Sequence, residues 1–172
     1  MPPTGSTGPV PLFGRVVSRL SSPADVWLAV RVMGWALVLP IVKQVVPVKS
    51  LARVMHLDAD TVTRSQVREE HIVTFARWAA RLTRWKSGGN CLERGLIAYR
   101  YLGQAGAHPV LVVGLDRIGA SGLIGHAWVL VDGQPVGESV SSLERYTPVF
   151  AFGADGVLTA MPPETVHPLR SS

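Results

Sequence analysis

Cysteine occurs once in the 172 residues, at position 91. A thiol attacks carbonyl carbon as thiolate, so a catalytic cysteine needs a lowered pKa, and a helix N-terminus supplies the favourable field. Cys91 stands where a helical periodicity begins, after Ser87-Gly88-Gly89-Asn90, and the glycine pair would let a peptide backbone approach closely. The bland alternative is a small buried hydrophobe. His126 opens the apolar segment Gly125-His126-Ala127-Trp128 after a glycine-rich connection. A histidine at the mouth of a strand can reach a thiolate on a neighbouring helix; otherwise it is a capped or solvent-facing side chain. His56, His71, His108 and His167 lack such settings and read as surface residues. No pair has metal-ligand spacing, and a single thiol rules out both an internal disulfide and a multi-thiolate zinc site. Neither metal nor cofactor is expected.

A nucleophile and base of this kind need an acid that orients the imidazole. Asp132 and Glu138 both follow His126. With Val131-Asp132-Gly133 as a three-residue loop, Leu130 pairs with Gln134 and His126 falls opposite Glu138. With a two-residue Asp132-Gly133 loop, Ser139 falls opposite His126 and Glu138 turns to the other face. Glu138 is the preferred orienter, because Asp132 already serves as a turn former.

The elements that must position these groups follow from periodicity. Ser22 or Asp25 can cap a helix with Pro23 in its first turn, running through Trp27, Val30, Met33, Trp35 and Leu37 until Pro40 ends or kinks it. Val48, Leu51, Ala52 and Met55 predict a short helix to about His56, broken at Asp58 or Asp60. Val67, Ile72, Phe75, Trp78, Ala79 and Leu82, with arginines mostly between them, predict an amphipathic helix over about 63–85. A further helix, capped by Asn90 or Ser87, runs from Cys91 to Gln104 with Gly106 just past its end. After His108 the period changes: Val110–Leu115 and His126–Val131 read as strands, Asp132-Gly133 as a hairpin turn and Gln134–Val140 as the returning strand. Strands over 146–152 and 157–160 flank a turn at Asp155-Gly156. Helices first and antiparallel strands second predict an α+β domain.

Composition sets the outer limits. A chain of this length with 47% apolar residues can bury a core, which argues against disordered and fibrous readings. Seventeen Lys and Arg against 12 Asp and Glu give a net charge of +5, but no nucleic-acid motif accompanies the excess, and nucleic acid is not an expected partner. The first 11 residues, with four prolines and two glycines, read as a mobile leader without a secretory signal, which predicts a cytoplasmic protein. The stretch 26–42 is interrupted by Arg31 and Pro40, and its uncharged run of 11 residues is short of the roughly 20 that span a bilayer. No transmembrane segment is expected; contact with a partner or a membrane surface stays open.

The order of cysteine at a helix start, histidine on one strand and acid after it resembles transglutaminase-like cysteine enzymes. Cys91-Leu92-Glu93-Arg94-Gly95-Leu96, the Val110–Leu115 strand, His126-Ala127-Trp128-Val129 and Asp132-Gly133-Gln134-Pro135-Val136-Gly137-Glu138 resemble the leader peptidase of lasso-peptide biosynthesis. The resemblance is strong from Cys91 to about Tyr146 and weaker over 26–85. It implies a transglutaminase-like (papain-like) fold with an N-terminal helical region and a C-terminal antiparallel sheet. On this reading residues 1–22 form a flexible segment, 23–86 the helical region and 87–172 the catalytic core. It also implies Cys91 as nucleophile and His126 as general base, with Glu138 at a position where the family usually has aspartate. Members often carry serine where this chain has Gly95, a packing difference.

Some members carry a fused, strand-rich leader-recognition domain. The 90 residues before Cys91 read as helices, so the resemblance implies the stand-alone form, which takes its precursor peptide from a separate recognition protein. An ATP-dependent macrolactam cyclase acts next and is an expected partner. Cys91 N–H, helped by the Asn90 side chain, would stabilise the oxyanion. Trp27, Trp35, Trp78 and Trp85 read as core aromatics, with an interface as the alternative, and Trp128 shares the strand face of His126. Two rivals remain: acyl transfer to an amine by the same triad, and a non-catalytic docking subunit.

Overall fold

A computed structural model describes residues 22–57, 62–83, 90–116, 124–153 and 155–160. The leader, the breaks at Asp58, Asp60 and Ser87-Gly88-Gly89, Trp85, His167 and most of the glycine-rich connection lie outside the described residues. Among the described residues four helices precede a five-stranded antiparallel sheet: α1 (Pro23–Val42), α2 (Val48–Met55), α3 (Gln66–Leu82), α4 (Cys91–Gln104), β1 (Val110–Asp116), β2 (Gly125–Val131), β3 (Gln134–Pro135), a one-turn α5 (Val140–Leu143), β4 (Tyr146–Phe152) and β5 (Leu158–Ala160). The sheet order is β3-β2-β1-β4-β5. This is the expected α+β architecture, a helical N-terminal half and a C-terminal antiparallel sheet.

α1 begins with a reciprocal cap: Ser22 Oγ accepts from Asp25 N at 3.1 Å and Ser22 N donates to Asp25 Oδ2 at 3.0 Å. Of the two effects expected of Pro40, ending the helix is not seen, since α1 runs on to Val42. A proline this near the C-terminus forfeits one ladder bond, and Lys43 N still reaches Leu39 O at 3.0 Å. Only Val32, Ala36 and Leu39 of α1 are buried, while Trp27, Val30, Leu37, Val38 and Ile41 lie exposed along the outer side. By length and composition α1 could cross a membrane, with mean hydropathy 1.7, but its inner side packs on α3 and α4. Trp27, 63% exposed, is therefore not a core residue, whereas Trp35 and Trp78 pack partly buried against the core.

One hydrophobic cluster joins Leu39, Met55, Phe75, Leu96 and Leu102 of the four helices to Leu111, Val129 and Phe152 of the sheet. The opposite sheet face carries Val112, Trp128 and Ala151, closed by Leu143 of α5. α3 begins at Gln66, three residues later than expected, and Arg64 just ahead of it binds Glu69 and Asp132. At the end of α4, Gly106 takes φ +81 as the left-handed residue that terminates a helix.

Candidate active site

Cys91 is the first residue of α4, where backbone N–H groups have no partner within the helix. α4 lies close on the sheet because residue 95 is glycine: a Cβ there would stand 2.9 Å from Leu111 Cδ1. This close packing sets Cys91 beside the start of β2, with Sγ 3.9 Å from Gly125 O. Asn90 takes the cap position, but its side chain makes no cap bond and donates instead to Ala80 O. That corrects the cap bond expected of its side chain, although the residue itself holds the cap position.

His126 pairs across the sheet with Gly114. A Cβ at Gly114 would lie 2.8 Å from Trp128 Cη2, so glycine leaves room for the Trp128 ring beside the imidazole. The Trp128 ring is near-parallel to His126 with centroids 6.1 Å apart, as expected from their shared strand face. Tyr146 of β4 stacks closer, at 4.7 Å and 19°. Sequence reasoning missed Tyr146, because only the pairing of β1 with both β2 and β4 brings it there. Arg145 covers the Tyr146 ring and donates to the buried Asp116 at 3.0 Å through Nε, which holds that corner of the sheet.

The hairpin brings Glu138, not Asp132, to His126, and by an unexpected route. Val131 pairs with Gln134, so the loop is the two-residue Asp132-Gly133 turn with φ of +52 and +74, not the three-residue loop. The returning strand is also shorter than expected: β3 has two residues, Val136 N makes one more bond to Val129 O, and Gly137 at φ +76 turns the chain out of register. Freed from the ladder, Glu138 swings back, and its Oε2 accepts from His126 Nε2 at 2.7 Å. Asp132, its side chain 65% exposed, instead binds Arg64 Nη1 at 2.6 Å. The other carboxylate oxygen of Glu138, Oε1, accepts from Arg94, which lies one turn after Cys91 on α4. The spacing from Cys91 to Arg94 was the available sequence signal for it.

His126 thus meets Glu138 through Nε2, and Cys91, whose sulfur lies against Gly125 at the start of the same strand, is close enough to act on the imidazole. Its pKa is pushed up to about 9 by hydrogen bonds to Cys91 and Glu138 and by their charges, against the opposing effect of burial. Burial pushes the Cys91 thiol up, but the His126 hydrogen bond and charge and the N–H groups of Ala127 and Leu92 outweigh it, leaving the thiol below its ordinary value. Such an arrangement can hold a thiolate beside an imidazolium.

The remaining histidines are less uniform than expected. His108 is exposed, but His71 is half-buried with Nδ1 3.0 Å from Asp25 Oδ1, and His56 packs beside Tyr99. Both bridge elements and are not plain surface residues. Among the described residues no group of three or more His, Cys, Asp or Glu side chains could hold a metal ion.

Residues 28–151 match the transglutaminase-like superfamily, well over half of the chain. Together with the α+β fold this places the protein in that superfamily. No curated protein and no solved structure matches it.

Proposed function

We propose that this protein is a cysteine peptidase that removes the leader from a ribosomally made lasso-peptide precursor before macrolactam closure. The observation that carries the reading is the Cys91 sulfur at the start of α4 lying against Gly125, the residue before His126, whose Nε2 bonds the Glu138 carboxylate. The Cys91 thiolate attacks the carbonyl carbon at the junction of leader and core, and the Cys91 N–H at the helix start receives the developing oxyanion. His126 imidazolium gives its proton to the departing amine as the C–N bond breaks. The neutral imidazole then takes a proton from water, whose oxygen attacks the thioester and releases the acid. Glu138 holds the ring throughout.

The precursor is delivered by a separate recognition protein, and the exposed apolar side of α1 is the surface we assign to that protein or to the cyclase. The chemistry needs Cys91 as a free thiol, which suits a reducing compartment. Membership of the superfamily also favours a second reading, transfer of the acyl group to an amine instead of water. Product mass separates the two, since hydrolysis leaves a free acid and transfer leaves a joined amide.

The test is iodoacetamide labelling of Cys91 against pH, read by mass spectrometry, followed by incubation with a lasso precursor peptide. The expected result is labelling well below the usual thiol range, shifted upward by His126→Ala, and processing abolished by Cys91→Ala. A thiol inert until unfolding, or processing that persists in Cys91→Ala, would overturn the peptidase reading in favour of a docking subunit.

A further inference from the structure

We infer that Arg94 is a positioning residue of this site, fixing the Glu138 carboxylate so that its second oxygen meets His126; the inference rests on the reading that Cys91, His126 and Glu138 act together. Glu138 sits outside the sheet ladder, after the left-handed Gly137, on the loop between β3 and α5. A glutamate has one more rotatable bond than aspartate, so nothing in its own backbone aims the carboxylate. A crevice opens beside it, bounded by Val73 and Arg77 of α3, Ala98 of α4, Trp128 and Val136, so that side of the carboxylate is not tightly packed. What aims it is the pair of bonds to His126 Nε2 and to Arg94 Nη2. Arg94 is itself firmly based: its backbone N bonds Asn90 O at 3.0 Å in the first turn of the helix that carries Cys91. One rigid element thereby sets both ends of the relay, the sulfur directly and the acid through the guanidinium.

Positioning and simple charge balance predict opposite signs. The groups around the imidazole are Cys91 of α4, Glu138, and the stacked Tyr146 and Trp128, with Arg94 and Arg77 beyond Glu138 and Arg145 beyond Tyr146. If Arg94 only offset the negative charge of Glu138, its loss would strengthen the hold of Glu138 on imidazolium and raise the His126 midpoint. If Arg94 aims the carboxylate, its loss lets Glu138 swing toward the crevice and Arg77, and the midpoint falls.

The experiment is an NMR titration of His126 in the full chain, with Cys91 labelling by iodoacetamide at pH 7 measured in parallel. Arg94→Ala is expected to lower the His126 midpoint by roughly one unit, corresponding to about a tenfold loss of the imidazolium preference. Glu138→Gln should act in the same direction, and adding Arg94→Ala to it should change little more. Arg94→Lys, which keeps the charge without the planar fork, should recover part of the shift and carries the test if the alanine variant does not fold. A His126 midpoint that rises or stays fixed in the Arg94 variants, or effects of Arg94→Ala and Glu138→Gln that simply add, would overturn the inference. Its failure is separable from that of the peptidase reading: precursor processing and Cys91→Ala decide the latter, while the titration reads the Arg94, Glu138 and His126 linkage with no substrate present.

Discussion

At the scale of single residues, opposite pKa displacements on two neighbouring groups define a pH window. The His126 pKa is raised to about 9 and the Cys91 thiol is lowered, so thiolate and imidazolium coexist between the two values. Attack needs the thiolate, and expulsion of the amine needs the imidazolium proton. The rate of precursor cleavage should therefore rise with pH below the ordinary thiol range and fall near pH 9, and Glu138→Gln should draw the falling limb down. A kcat/KM profile checks this; a falling limb unmoved by Glu138→Gln would mean that the carboxylate does not govern the imidazole. The sign for stability follows. Because the folded pKa of His126 lies above its unfolded value, its contribution is fully present below about pH 6.5 and is lost as pH rises through about 9.

At the scale of elements, the hairpin after β2 decides where the acid goes. The Asp-Gly pair made the place of the turn legible in the sequence, because both residues tolerate positive φ, but the two-residue length came from the pairing of Val131 with Gln134. The escape at Gly137 was not legible, since it depends on α3 standing behind the loop: a Cβ at residue 137 would meet Val73 Cγ1 at 2.7 Å. Gly137→Ala should therefore cost about 1–3 kcal/mol in urea unfolding and also slow Cys91 labelling, by pushing the Glu138 loop off α3. Gly133→Ala is the matched control. It shares the left-handed φ, at +74, but has nothing within 4 Å, so it should strain the turn while leaving Cys91 labelling unchanged. Equal labelling by both variants would disconnect the Gly137 contact from the site.

At the scale of the whole molecule, α1 has two unlike sides. Its inner side joins the common core, and Lys43 just past its end bonds the buried Glu93 of α4 at 2.5 Å, two residues from Cys91. Its outer side is a run of apolar side chains, with Ile41 68% exposed, and it is the surface proposed above to receive a partner protein. Leu37→Glu with Ile41→Glu should leave unfolding and Cys91 labelling unchanged, because neither side chain is buried in the monomer. Precursor processing that depends on a separate recognition protein should be lost. Full processing by the double variant in the presence of that protein would place docking elsewhere. The sequence marked this helix as apolar apart from Asp25 and Arg31, but it could not tell which side the core would take; Trp27 read as core for that reason.

The sequence by itself determined the helix carrying Cys91, the strand opening at His126, the Asp132-Gly133 turn and the order of helices before strands, because each is written in local spacing, capping residues or turn chemistry. It also narrowed the acid to Asp132 or Glu138. Tertiary structure alone decided that β3 stops after two residues, that Asp132 binds Arg64, and that Tyr146, Arg94 and Glu138 converge around the imidazole. Those outcomes depend on distances between segments far apart in the chain, which are set by how closely α3 and α4 pack on the loop and the sheet. Local periodicity carries no record of that packing.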